Sequence, residues 1–530
     1  MANRKRLYVL FLVIVLGWLL VIVRLFDLQI IKHRELVNKS LNQRTRIINL
    51  SACRGDIYDR NGEILATSVD TYTVFTQKGG FRFLAHKLPL AEAEKLKAAD
   101  PKAIFFIKEK KRIYPRGRTA AQVLGFVGRD NEGLSGIELS YDKYLCGKSG
   151  RVVTEGDPEG RELYGALRVI EPREDGMNVT LTIDQNIQYV AERVIEEQIS
   201  KYRAASGMLI VMDAKTGEIL ALASKPDFNP NEYAKADRRL WHPRVLDPYE
   251  PGSTFKLIAM AAGLQQGVID LNTKLKALDQ IEVGGKIISN SHKIKWPGPY
   301  ISLSKALEES INTAMAQIGL KLGSEKYYNS IKDFGFGQIT DFGLDGESRG
   351  IVRHWQSWYK PDVAMMTFGQ SIAVTPLQLL SAISAFANNG RMVKPYIIKK
   401  IESVDGSFVK VYANEERGRP VSPKVAEEMK QLMSNVVVKG SGRKAKMQWY
   451  SVGGKTGTAQ KAAQGGRGYL KGHYIASFIG LAPLQQPRLI ALVIVDDPKG
   501  SIWGETVCGP AFQEVVEYSL RYLNTKPDLL

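Results

Sequence analysis

Cysteine, histidine and long apolar runs are all scarce in this 530-residue chain. Its three cysteines, Cys53, Cys146 and Cys508, lie far apart, which excludes a disulfide-dense scaffold and any Cys-x-x-Cys metal or redox motif. The six histidines form no His-x-x-x-His pair, so neither a metal site nor a cofactor is expected. "LSAC" at 50–53 has the look of a lipoprotein cleavage box. A mostly polar stretch parts it from the apolar run that such a box should follow, so Cys53 is not expected to carry lipid. No internal repeat or low-complexity tract occurs. Acidic residues fall short of basic ones, giving a net charge of +18, which would suit an anionic partner or surface. No helix-turn-helix, zinc-finger or RNP pattern accompanies that excess, so no nucleic acid partner is expected and the basic surface reads as solvated.

What the chain does have begins at its N-terminus. Arg4, Lys5 and Arg6 precede an uncharged, mostly apolar run at 7–23, and the pattern stays apolar to residue 31 past Arg24 and Asp27. About 20 apolar residues span the hydrocarbon core of a bilayer, and Arg24 and Asp27 snorkel at its outer edge. The basic tail predicts an inside N-terminus with the rest of the chain outside. A cleaved signal peptide is the rival, but the run exceeds a normal signal's apolar region and no small-x-small site follows it closely. The expectation is a cytoplasmic tail at 1–6, an uncleaved single-pass anchor at 7–31, and a helical stalk or linker at 32–49.

From 50 to about 180 the composition breaks into short β-like runs, for example 54–68 and 133–157, with a short helix at 91–100. "DRNGE" sets Asn-Gly between two such runs, a strong hairpin signal. Residues 178–202 pass from an alternating strand into a helix capped by Asp184, and 206–224 reads as a hairpin turning at Lys215, Thr216 and Gly217. Helical patterns follow at 254–266, 303–323 and 375–389. Strands return at 451–460, 474–484 and 488–498, before a closing helix from about 510 to 523. Strands at both ends of a helical middle predict an α+β domain, an antiparallel sheet with helices packed on it.

Ser-x-x-Lys occurs six times, beginning at Ser140, Ser253, Ser302, Ser357, Ser407 and Ser441. Ser253, in "YEPGSTFKLIAM", alone follows Pro-Gly and leads an apolar helical pattern. That places its hydroxyl at a helix N-terminus, where free N–H groups stabilise negative charge. Lys256 is one turn on, on the same face. A desolvated amine loses its proton near neutral pH and serves as a base. The bland reading of "STFK" is a helix start and nothing more. "ESIN" sets Ser310 and Asn312 on a turn between two helical patterns, where Ser310 could relay a proton and Asn312 hold a substrate amide. "SLN" at 40–42 has the same spacing but lies in the stalk. "GGKTGTA" at 453–459 offers Lys455, Thr456 and Thr458, a cation and hydroxyls for a carboxylate, in a strand whose glycines let a ligand backbone approach. The Lys-Thr-Gly of "DAKTGE" reads instead as a hairpin turn.

In this order the three motifs resemble those of the penicillin-recognising serine enzymes. The N-terminal anchor, "RGDIYDRNGEILA", "YPRGRTAAQVLGFVG", "GLSGIE", "YEPGSTFK", "GQSIAVTPLQL" and "GGKTGTAQ" extend the likeness over nearly the whole chain, which looks like a class B penicillin-binding protein, a monofunctional peptidoglycan transpeptidase. "FGFGQITDFGLDGESRGIV" at 334–352 leans toward the FtsI-like, division-specific branch. The resemblance implies a pedestal of the dimerisation type at 50–180 and a domain of the penicillin-binding, serine β-lactamase-like fold at 181–525. It implies Ser253 as acylated nucleophile, Lys256 as general base, Ser310 as relay, and Asn312, Lys455, Thr456, Gly457 and Thr458 as substrate-binding groups. Backbone N–H groups of Ser253 and Thr458 would form the oxyanion hole. The family's reaction is attack on the D-Ala-D-Ala bond of a stem peptide, loss of D-Ala, and transfer of the acyl group to a neighbouring stem's amine. β-Lactams mimic the first step and stall there. Implied partners are stem peptides, β-lactams and an FtsW-type glycan polymerase packing on 7–31. The family commonly has Pro-Ala-Arg-Gly where this chain has Ser51, Ala52, Cys53 and Arg54, a departure that leaves the catalytic assignment untouched.

Four rival functions share parts of this pattern. An elongation-type transpeptidase shares every motif. A β-lactamase would need a dedicated deacylating base, no pedestal, and usually secretion. A β-lactam sensor would need an intracellular output domain, where only six residues precede the span. A non-catalytic division scaffold would not need three intact motifs. A bifunctional synthase is disfavoured further, since the stretch before Ser253 is short for a glycosyltransferase and has no Glu-Asp-x-x-Phe.

Overall fold

The computed structural model describes residues 2–76, 78, 82–155, 169–294, 296–463 and 468–529. The N-terminal apolar run forms one helix, Ala2–Phe26, prolonged by a π-turn at Asp27–Ile31, and Asn3–Ile31 is long and apolar enough to cross a membrane. Arg24 donates to Asp27 at 2.8 Å near its end. The next helix, His33–Arg44, covers most of the expected stalk, but the stalk does not stay helical. Thr45–Leu50 is a strand, antiparallel to Gly150–Glu155, which pairs in turn with Val169–Glu171. Segments 1–53 and 147–176 make one compact unit, and 54–146 with 177–530 make a second.

In the second unit, "DRNGE" forms the expected turn. Asp59 Oδ1 accepts the N–H groups of Asn61 and Glu63, joining the antiparallel strands Ile57–Tyr58 and Ile64–Thr76. These belong to a seven-stranded sheet that also takes in Arg82–Leu88, Ile104–Ile113, Asn178–Leu181, Ile398–Glu402 and Val409–Val411. Residues 136–145, expected as β-like, are instead two single helical turns, Gly136–Ser140 and Asp142–Leu145. Tertiary burial outweighs strand propensity there, because Ile137 and Leu145 must both reach the core. Of the stretch 133–157, residues 150–155 are strand and 156–157 lie outside the described residues.

Those turns carry Glu138 into an ionic cluster. Arg54 Nε donates to its Oε2 at 2.6 Å, Arg112 Nε to its Oε1 at 2.7 Å, and Tyr114 OH to Oε1 at 3.2 Å. Glu138 is 0% and Arg112 4% exposed, so the cluster is cut off from water.

The other large sheet has five antiparallel strands in the order Ile219–Lys225, Ser206–Asp213, Leu489–Asp496, Tyr469–Ala482, Gly453–Ala462. Side chains alternate across a strand. Ile210, Met212, Ile490 and Leu492 therefore enter one core, with the helices Lys256–Gln265 and Pro376–Ala387. Leu209, Val211, Ala491 and Val493 enter another, against Gln185–Tyr202 and Gly509–Tyr522. Helices on both faces explain why these strands read as continuous apolar runs. Asp184 caps Gln185–Tyr202, accepting from the N–H of Asn186 at 3.0 Å and of Ile187 at 3.3 Å, as expected.

Candidate active site

Ser253 lies on a 3-10 turn, Gly252–Phe255, that runs directly into Lys256–Gln265. Thr254 Oγ1 donates to Pro251 O at 2.8 Å and closes the turn. Phe255 points inward, its ring edge-on to Phe336 with centroids 5.0 Å apart. The helix behind is apolar all round because it is buried all round. Lys256, at its head, is 0% exposed.

Lys256 Nζ lies 2.6 Å from Ser310 O, 2.7 Å from Asn312 Oδ1 and 3.1 Å from Ser310 Oγ. Among the described residues it has no hydrogen bond to Ser253, so the second motif holds the lysine. Ser310 sits between the helices Leu303–Glu308 and Asn312–Leu322 with a left-handed φ of 55°. Such a backbone costs a non-glycine residue about 1–3 kcal/mol, and here it turns both oxygens of Ser310 toward one amine. Lys455 approaches the same hydroxyl from the third motif, with Nζ 3.0 Å from Ser310 Oγ and 3.2 Å from Thr456 Oγ1. One hydroxyl thus stands between two buried amines.

Two ammonium groups sharing one oxygen away from water repel, which favours the uncharged form. Burial, with the Lys455 charge added, pushes Lys256 well below the ordinary lysine value. Burial alone brings Lys455 down to about 7. The arrangement thus favours an unprotonated amine at Lys256 beside a serine, with Lys455 as a second amine poised to carry charge.

The third motif lies on Gly453–Ala462, an outer strand of the five-stranded sheet. Gly457 is needed for close approach, since a Cβ there would stand 2.2 Å from Ser477 Oγ and 3.1 Å from Thr254 Cγ2. Only a bare backbone lets the strand pass against the turn of Ser253. Ser253, Ser310, Asn312, Thr456 and Thr458 border one cleft of about 850 Å³, with Lys256 and Lys455 enclosed beside it.

The competing matches sort themselves. Ser302 caps Leu303–Glu308, Ser140 Oγ accepts from the N–H of Asp345, and Lys215, Thr216 and Gly217 form the hairpin turn after Ser206–Asp213. Ser441 is different. Its Oγ is 3.2 Å from Thr456 Oγ1 and it borders the cleft, whereas its Ser-x-x-Lys lysine, Lys444, turns away to Thr506. The signal for Ser441 was its place between two glycines after the helix Pro423–Val438, not the tetrapeptide.

Comparison with known proteins shows the family. Residues 207–517 match the penicillin binding protein transpeptidase domain, and 82–181 match the penicillin-binding protein dimerisation domain. The chain is 33% identical to stage V sporulation protein D of Bacillus subtilis, over 99% of this chain and 86% of that protein. It is 29% identical to the peptidoglycan D,D-transpeptidase FtsI of Escherichia coli, over 95% and 89% of the two chains. A mycobacterial penicillin-binding protein 3 crystallised with aztreonam superposes with a TM-score of 0.75 at 27% identity, covering 91% of this chain and 98% of that one. With matched motifs gathered on one cleft and a family match over most of its length, the chain belongs to the penicillin-binding proteins that carry a transpeptidase domain.

Proposed function

We propose that the protein is a serine-type peptidoglycan D,D-transpeptidase, anchored in the cytoplasmic membrane with its N-terminus inside and working at the division septum. The observation that carries the reaction is the Ser310 hydroxyl held between Lys256 and Lys455 at the cleft that Ser253 borders. Ser253 Oγ attacks the D-Ala-D-Ala carbonyl and its proton passes to Lys256. Ser310 relays a proton to the departing D-Ala amine. A second stem's amine then attacks the ester, and the proton returns to Ser253. Asn312 holds the substrate amide, while Lys455, Thr456, Gly457 and Thr458 receive the terminal carboxylate. Residues 50–180 serve as pedestal and 181–525 as the transpeptidase domain, a division that the matches at 82–181 and 207–517 support. Septal duty is supported by the 334–352 pattern and the likeness to FtsI, and the apolar helix offers an FtsW-type polymerase a surface.

Intact mass and peptide mapping after incubation with benzylpenicillin test the reaction. A stable adduct is expected on the peptide holding Ser253. An adduct elsewhere, or rapid drug hydrolysis without one, would sink the proposal.

The Lys455 titration adds a sharper check. Its folded value of about 7 leaves it charged below neutrality and uncharged above. Free-enzyme groups govern kcat/KM, so acylation by benzylpenicillin is expected to fall as pH rises through about 7. The methyl ester of the drug has no carboxylate to pair, so its acylation should lack that fall. Identical alkaline limbs for both compounds would remove Lys455 from carboxylate binding.

A further inference from the structure

The turn that carries Phe336 presents cations on its outer side. "FGFGQ" at 334–338 follows the helix Ser324–Asp333, and Gly335 and Gly337 both take positive φ, +77° and +78°. A Cβ on Gly337 would stand 3.1 Å from Lys332 Nζ. One on Gly335 would stand 3.5, 3.6 and 3.7 Å from Nη1, Cζ and Nη2 of Arg417, so the guanidinium lies flat over that glycine. With Arg419, these two cations line a cavity of about 330 Å³ in which Asp333 is the one carboxylate among the described residues.

Among the described residues, Asp333 borders the cavity and Glu347 and Asp341 act on Arg417 from a distance, but none forms an ion pair with the cluster. Arg417 Nη2 donates to Ile339 O at 2.9 Å, and among the described residues no carboxylate comes within ion-pair distance of Lys332, Arg417 or Arg419. The acidic groups nearby are engaged elsewhere. Asp341 pairs with Lys394 at 2.8 Å, and Glu347 accepts the N–H groups of Thr340 and Asp341 at 2.7 and 2.9 Å. Burial lowers the Arg417 value and outweighs the opposing pull of Glu347 and Asp341, the mark of a cation partly stripped of water with no carboxylate in contact. A helix C-terminus suffices to explain Lys332. It does not explain two arginines brought in from the strand Glu416–Gly418 and the residue after it.

We propose that this cavity is a binding site for a phosphoryl group borne on a hydroxylated carrier. A guanidinium pairs with phosphate through two parallel N–H bonds. A phosphate monoester carries a charge of about −1.5 to −2 near neutrality, which balances three cations and one carboxylate better than a single carboxylate ligand would. Asp333 is placed to accept from a hydroxyl of the carrier. The site stands apart from the cleft but not out of its reach. Phe336, buried between the two glycines, is the ring that packs on Phe255, two residues after Ser253.

Calorimetric titration of the full-length protein in nonionic detergent, at constant ionic strength in chloride, tests the site with two probes. Glycerol 1-phosphate stands for a soluble ester, and dihexanoyl phosphatidylglycerol, against the matching phosphatidylcholine, for a lipid headgroup. Saturable binding of at least one probe is expected, weakened roughly tenfold or more by R417Q and by R419Q, as loss of a charge-assisted pair requires. Lys526→Gln, at an exposed position elsewhere, should bind as wild type does. Arg419 is itself exposed, so R419Q leaves the fold secure. The probe that binds identifies the source of the phosphate. Binding of neither probe, or equal binding by wild type, R417Q and R419Q, overturns the proposal.

Discussion

Lys256→Met is expected to slow acylation by benzylpenicillin by about 10²–10⁴, the usual worth of a positioned general base. Methionine matches the lysine stem in length and suits a position that is 0% exposed. The loss is therefore chemical rather than architectural. Ser310 O and Asn312 Oδ1 lose a donor, which costs about 1–3 kcal/mol per unsatisfied group. Against that, a desolvated amine has left the core. Stopped-flow acylation gives the size of the effect, and its pH profile gives the cause. Below the depressed Lys256 value the wild-type enzyme binds a proton on its base and slows. The methionine variant, slow throughout, should lack that acid limb. A variant that acylates within about threefold of wild type would show that another group takes the Ser253 proton.

Glu138→Ala is expected to remove about 3–5 kcal/mol of folding stability, the cost of breaking a buried ion pair from one side. Arg54 and Arg112 would then keep their charges in a pocket closed to water, with Tyr114 losing its acceptor as well. Arg54 would retain Asp142 at 2.6 Å, and among the described residues Arg112 would retain only the Gly55 carbonyl at 2.8 Å and the Ser68 hydroxyl at 3.4 Å. Urea unfolding of the two proteins reads the difference. A loss under about 1 kcal/mol would mean that water enters the cluster and screens it. Acylation by the folded fraction should be unchanged, since Glu138 does not border the cleft.

The site was legible in the sequence where chemistry is carried by residue type and order. Ser253, Ser310 and Lys455 each have decoys of the same local spelling, and it was context, Pro-Gly before, an apolar helix after, glycines around, that separated them. What context could not supply was how Lys256 is held. Its bonds run to Ser310 and Asn312, beyond four short strands and a helix, and no spacing rule contains that information. Helices with strong periodicity, such as Gln185–Tyr202, were legible for the same reason that they are stable: their apolar faces repeat. Thr45–Leu50 was not, because its strand state depends on Gly150–Glu155, a hundred residues away. The turns at 136–145 were missed because their conformation is imposed by what Ile137 and Glu138 must reach.

The seven-stranded sheet sets the order in which the chain becomes safe. Ile57–Tyr58 lies between Ile64–Thr76 and Asn178–Leu181, and Asn178–Leu181 waits on its other side for Ile398–Glu402. A ribosome adds about 5–20 residues each second, so the early strands stand with open edges for tens of seconds before their last neighbour is made. Open edges of apolar strands recruit one another between chains. Nascent molecules crowded on one stretch of membrane would therefore compete for the pairing that each needs from its own later half. Slowing initiation, rather than speeding elongation, is the lever that should raise the yield of folded protein.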